Sequence, residues 1–131
     1  MQNHRLYTSL IVIFISALLI VSCNKDNEGA KNSIEAYINA LSNKDTAQII
    51  NLSCADWEQN ALLEVDSLTA VGSKVDNLVC TETAQDDDVT YISCTGNLVL
   101  DYNGEAQQID LSNRTYIARN EDGEWRMCGY K

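Results

Sequence analysis

Five cysteines and a single histidine mark where covalent or proton chemistry can reside in this 131-residue sequence. Cys54, Cys80, Cys94 and Cys128 form an even set spread along the chain, and Cys23 stands apart at the end of an apolar stretch. An even number of cysteines in a small exported domain reads as two disulfides. A four-cysteine zinc site is the competing chemistry, but these spacings lack the close Cys-x-x-Cys pairs it favours. The one histidine, His4, lies ahead of the apolar stretch. The rest of the chain therefore has no side chain titrating near neutrality and no Ser-His or Cys-His nucleophile.

Oxygen chemistry is more widely distributed. Tyr37 could donate to an oxyanion, although its place on an apolar stripe with Ile34, Ile38 and Leu41 fits a packed core tyrosine better. Asp76, Asp101 and Asp110 fall near strands, without a clear partner on an otherwise apolar face. Asp86-Asp87-Asp88 suggests calcium, but three consecutive side chains do not converge on one ion and the spaced ligands of an EF-hand loop are missing. A solvated turn is expected there. Trp57 and Trp125 are candidates, with Tyr37, for the wall of a pocket. The pattern calls for no metal and no cofactor.

These residues must be positioned by a small domain. The apolar run from Leu6 to Val21 has about the length of a secretory h-region and is short of a membrane span, and Arg5 precedes it. Residues 1–22 are read as a signal, 23–31 as a tether and 32–131 as a single domain. Removing the signal takes away Arg5 and leaves eight basic side chains against nineteen acidic ones, a side-chain charge of −11. Such a surface repels phosphate backbones and anionic headgroups, so nucleic acid is not an expected partner.

The first half of the domain has helical spacing. A helix is expected from Asn32, with Glu35 as its capping-box partner, carrying Ile34, Tyr37, Ile38 and Leu41 on one face. After a break at Ser42–Asp45, Asp45 with Gln48 caps a second helix. Ser53 and Asp56 precede a third, with Trp57, Ala61, Leu62, Val65 and Leu68. The period then changes to two. Strands are expected from Val71 to Cys80, from Val89 to Leu100, from Ala106 to Arg119 and from Glu124 to Tyr130. The turns between them are Gln85–Asp88, Asn103-Gly104 and Asp122-Gly123. Helices followed by an antiparallel meander make an α+β domain, its helices covering one face of a curved four-stranded sheet.

A first hairpin centred on Asp87 places Cys80 opposite Cys94, on a face with Leu78, Ile92 and Leu98. Bridging that pair closes a loop of about 15 residues, worth roughly 3 kcal/mol in the entropy model. Cys54 and Cys128 then remain for a second bridge worth roughly 4 kcal/mol. Four cysteines allow three connectivities, and the other two stay open at this point.

Two resemblances add to this. Ile20-Val21-Ser22-Cys23 resembles a bacterial lipobox, which implies diacylglyceryl transfer to Cys23, cleavage before it, and a protein held at the cell envelope outside the cytoplasm by its lipid. The run Ile34 to Leu41, then Asn43-Lys44-Asp45, Ala47 to Leu52, and the ending Gly123-Glu124-Trp125-Arg126-Met127-Cys128 resemble the cystatin-like, nuclear-transport-factor-two-like (NTF2-like) domains. That resemblance implies a cone bounded by helices and sheet. The scaffold hosts isomerase- and dehydratase-like enzymes as well as binding modules. With histidine and a buried carboxylate pair both missing, the expectation is a non-catalytic module for a small apolar ligand or an envelope protein. An enzyme using a cone-lining tyrosine and a carboxylate is the alternative.

Overall fold

The computed structural model describes residues 27–131; the signal and Cys23 lie outside the described residues. Helix α1 spans Asn27–Asn43 and so begins before the expected Asn32, taking in residues 27–31 that read as tether. Its buried stripe starts one turn earlier, at Ala30, and continues through Ile34, Tyr37, Ile38 and Leu41. Packing along that stripe extends the helix beyond what capping signals indicate. Glu35 is accordingly no capping partner. It sits inside the helix, and its Oε1 accepts from the Cys80 backbone N–H at 3.0 Å, joining α1 to the sheet.

The break after α1 is a left-handed cap. Lys44 takes φ 57°, while Lys44 N–H donates to Leu41 C=O and Asp45 N–H to Ala40 C=O. Asp45 then caps α2 (Thr46–Leu52) as expected, its carboxylate accepting from the Gln48 backbone N–H at 3.1 Å and from the Gln48 side chain at 3.0 Å. Helix α3 spans Glu58–Ser67. The expected caps at Ser53 and Asp56 do not form it: Ser53 Oγ turns back to Ile49 C=O at 2.7 Å, and Trp57 precedes the first turn with no side-chain cap bond.

The sheet has five strands rather than four: β1 Gly72–Asp86, β2 Val89–Tyr102, β3 Glu105–Asp110, β4 Thr115–Glu121 and β5 Glu124–Tyr130. The expected third strand is broken by a 3₁₀ turn at Leu111–Asn113, where Asp110 accepts from the Ser112 N–H at 2.8 Å. Both pieces still pair with β2, β3 along its far half and β4 along its near half. The order is β1-β2-β4-β5, with β3 beside β2. The Asn103-Gly104 and Asp122-Gly123 turns form with positive φ at both residues, as tight hairpins require.

Cys80 pairs with Cys94 in the β1–β2 ladder, as the hairpin reading places them. The simple alternation over Val71–Cys80 fails, however. A bulge between Asp76 and Val79 sets two residues of β1 against Gly96. Ser73 and Val75 face inward before it, Leu78 and Cys80 after it, and Val79 is left 57% exposed. Asn77 takes φ 56° in the bulge. Opposite it, a side chain on Gly96 would lie 2.6 Å from the Asp76 and Asn77 carbonyl oxygens.

The core lies between α1 and the concave face of the sheet, where Ile34, Tyr37 and Ile38 meet Ile92, Leu98, Tyr116, Ala118 and Met127. Ser53 bridges to Met127 and the Cys54 N–H donates to Met127 C=O, so the α2–α3 connection is laid directly along β5. Cys54 and Cys128 lie at disulfide distance there, and so do Cys80 and Cys94. Two such pairs fit an oxidising compartment. Among the described residues no helix is long and apolar enough to cross a membrane.

Candidate functional site

The site begins on α3. Trp57, Ala61, Glu64 and Leu68 recur at spacings of four, three and four, so a carboxylate occupies a position that helical geometry turns toward the domain. Glu64 Oε2 accepts from Tyr37 Oη at 2.6 Å and from Tyr130 Oη at 3.0 Å. Tyr37 Oη in turn accepts from Trp57 Nε1 at 3.2 Å. Three elements, α1, α3 and β5, thus meet on one carboxylate oxygen. The aromatic rings are mutually braced, with Trp57 and Tyr116 each packed edge-on against Tyr130 at centroid distances of 5.3 Å.

Electrostatics follows from this burial. Tyr37 and Tyr130 are both held well above the usual phenol range, first by burial and then by the neighbouring Glu64. Burial pushes Tyr116 up to about 12, with Arg114 pulling the other way. All three phenols therefore remain protonated at any physiological pH, as donors.

Above this network lies a cavity of about 160 Å³. Its apolar walls are Ile38 and Leu41 from α1, Leu68 just after α3, Leu98 from β2, and Ile109 and Leu111 at the break between β3 and β4. The polar lining is Glu64, Ser67, Arg114, Tyr116 and Tyr130. Arg114 is exposed and places its guanidinium 4.5 Å from the centre of the Tyr130 ring. The strand break makes this space, because it lets Leu111 turn inward and sets Arg114 at the start of β4.

Of the residues the sequence nominated, Tyr37 and Trp57 come together beneath the cavity, bonded to each other and through Tyr37 to Glu64. Neither lines it. Trp125 lies elsewhere, its indole against Gly29 at the start of α1. Asp76 pairs with Lys74, Asp101 accepts from the Gly104 N–H, and Asp110 caps the 3₁₀ turn, so these carboxylates serve turns and surface. Asp86, Asp87 and Asp88 are exposed in the first hairpin. Cys54, Cys128 and Glu121 place their ligand atoms close enough together for a metal, but a disulfide between the cysteines leaves neither sulfur as a ligand. Glu64, Arg114, Tyr116 and Tyr130 were not singled out from the sequence. The signal for Glu64 was there: it is the one charged position on the Trp57–Leu68 stripe.

No protein-family model matches the sequence, and no curated protein matches it either. Among solved structures, an NTF2-like protein with a cystatin-like fold from Novosphingobium aromaticivorans superposes with a TM-score of 0.52. That match covers 97% of this chain and 86% of the other at 11% identity. A protein named Rd1NTF2_05, carrying five substitutions, gives a TM-score of 0.46 at 12% identity, covering 78% of this chain and 96% of that one. The first likeness shows the fold: three helices on a five-stranded antiparallel sheet, an α+β cone of the NTF2-like type. Fold of this kind carries no activity with it.

Proposed function

We propose that this chain is a non-catalytic binding module for a small, largely apolar ligand, exported and held at the cell envelope by a lipid on Cys23. The observation that carries the binding reading is the apolar cavity with Glu64 fixed on its wall by two tyrosines. A convergent polar group in an apolar concavity is the usual composition of a ligand site. The lipobox-like Ile20–Cys23 and the two cysteine pairs support the location. One acyl chain binds a membrane only marginally, whereas two or three, at roughly 0.8 kcal/mol per buried methylene, hold firmly.

A thermal-shift screen of the protein against small compounds with apolar bodies, with and without charged head groups, tests the binding. Hits are expected, and Leu98→Trp, which fills the cavity, should abolish them while the melting transition stays cooperative. A screen without hits removes this reading. Labelling cells with a fatty-acid probe tests the anchor, since Cys23→Ala should lose the label that the parent chain takes up.

A second reading, a proton-transfer enzyme of the isomerase or dehydratase kind, is favoured by one observation, the carboxylate inside the cavity. One fact weighs against it. The phenolic protons of Tyr37 and Tyr130 are both engaged by Glu64, so neither is available to a substrate oxyanion, and Tyr116 is left as the one phenol lining the cavity that could meet it. Incubating small ketones with the protein in deuterium oxide separates the readings. Exchange of α-protons that disappears in Glu64→Gln would establish the enzyme.

A further inference from the structure

We infer that the cavity takes a small zwitterion with an aliphatic body, the chemistry of a free branched-chain amino acid; this rests on the reading of the cavity as a ligand site. Glu64 and Arg114 line the same cavity with opposite charges, yet form no ion pair with one another among the described residues. Tyr130 stands between them, its hydroxyl on Glu64 at 3.0 Å and its ring 4.5 Å from the Arg114 guanidinium. Glu64 Oε2 is occupied by two phenols, while Oε1 has no hydrogen-bond partner among the described residues. Tyr116 is only 2% exposed and lines the cavity, and its hydroxyl likewise has no partner among the described residues. Both charges act on that hydroxyl, Glu64 in one direction and Arg114 in the other.

Each simpler ligand leaves something unmet. A carboxylic acid would satisfy Arg114 and Tyr116 but bring a second negative charge to Glu64. An amine would satisfy Glu64 and repel Arg114. An uncharged hydrocarbon would cover the carboxylate without replacing its water, which is costly. A zwitterion meets all three groups. Its ammonium donates to Glu64 Oε1, its carboxylate accepts from Arg114 and the Tyr116 hydroxyl, and its side chain lies against Ile38, Leu41, Leu98 and Leu111. Size agrees, because a cavity near 150 Å³ holds a benzene-sized molecule, and the four-carbon side chain of leucine is smaller than that.

Calorimetric titration of the full chain, purified in mild detergent, with L-leucine, isoamylamine and isocaproate tests this. The three probes share one aliphatic body and differ only in charge. Leucine should bind at least tenfold tighter than either analogue. Glu64→Gln should weaken leucine and isoamylamine tenfold or more and spare isocaproate; Arg114→Gln should do the reverse with respect to the two analogues and also weaken leucine. Thermal melts of the two variants establish that they are folded. If either analogue matches leucine, or if leucine binding ignores both substitutions, the zwitterion assignment is overturned while cavity binding stands. If none of the three binds, the zwitterion assignment is overturned; if the thermal-shift screen fails as well, cavity binding is overturned with it.

Discussion

Glu64 is the residue on which most of this molecule's candidate chemistry turns, and its two phenol donors stabilise the fold as well as the site. Replacing Tyr37 with Phe removes a charge-assisted bond and leaves both Trp57 Nε1 and Glu64 one partner short. The expected cost is about 1–3 kcal/mol, read as a lowered urea midpoint at unchanged slope. Alkaline pH should expose the same network. Tyr37, Tyr116 and Tyr130 have folded pKa values above the unfolded value near 10. The unfolded chain therefore releases phenolic protons first, and the native state binds more protons over that window. Stability is fully present below pH 10 and falls as pH rises from 10 toward 12 and beyond. Urea midpoints measured across that range, with phenolate absorbance followed in parallel, check the sign; Tyr116→Phe should flatten part of the slope. Little of this was readable from the sequence. Glu64 stands out as a charge on the Trp57–Leu68 stripe, but nothing local indicates that Tyr37 and Tyr130, 27 and 66 residues away, fold onto it.

At the scale of elements, turns were legible and irregularities were not. Asn-Gly and Asp-Gly announce their hairpins because the backbone there needs positive φ, a local demand met by local residue types. The bulge opposite Gly96 and the break at Leu111–Asn113 arise from how strands curve around the helices, and no dipeptide announces either. Gly96 gives the clearest test. At φ 106°, with two carbonyl oxygens 2.6 Å from where a Cβ would stand, Gly96→Ala adds a clash to a strained backbone. A loss of about 2–4 kcal/mol is expected. Gly104 has φ 94° but open space around it, so Gly104→Ala should cost only the conformational part, about 1–2 kcal/mol. Equal losses in chemical denaturation would show that backbone conformation alone matters at both glycines. The same bulge reverses the inward face along β1, which is why one uniform alternation could not describe that strand.

For the molecule as a whole, the order of elements and the pairing of Cys80 with Cys94 followed from periodicity and turn positions, because those are set by short-range chemistry. The strand count differed, since one long apolar-polar run folds as two strands on the same neighbour. The two cysteine pairs hold different things together. Cys80–Cys94 closes a separation of 14 residues within one hairpin, whereas Cys54–Cys128 closes 74 and fastens the helical layer to β5. In the chain-entropy model these are worth roughly 3 and roughly 4 kcal/mol. Paired Cys→Ser replacements should therefore lower the melting temperature more at Cys54 and Cys128 than at Cys80 and Cys94. Losing both removes about 7 kcal/mol, between half and all of the 5–15 kcal/mol typical of a domain. Non-reducing peptide mapping checks the connectivity itself.

The indole of Trp57 donates to Tyr37, and Tyr37 holds the carboxylate that faces the cavity. The other indole, Trp125, lies against Gly29 and away from that chain of bonds. The molecule thus carries its own optical reporter and its own reference. Occupancy at Glu64 should change the dipole seen by Trp57 and move its emission, while Trp125 keeps a constant signal. In Trp125→Phe the whole spectral response to a ligand should survive, and in Trp57→Phe it should vanish. Binding to this cavity can then be followed by fluorescence without attaching a dye.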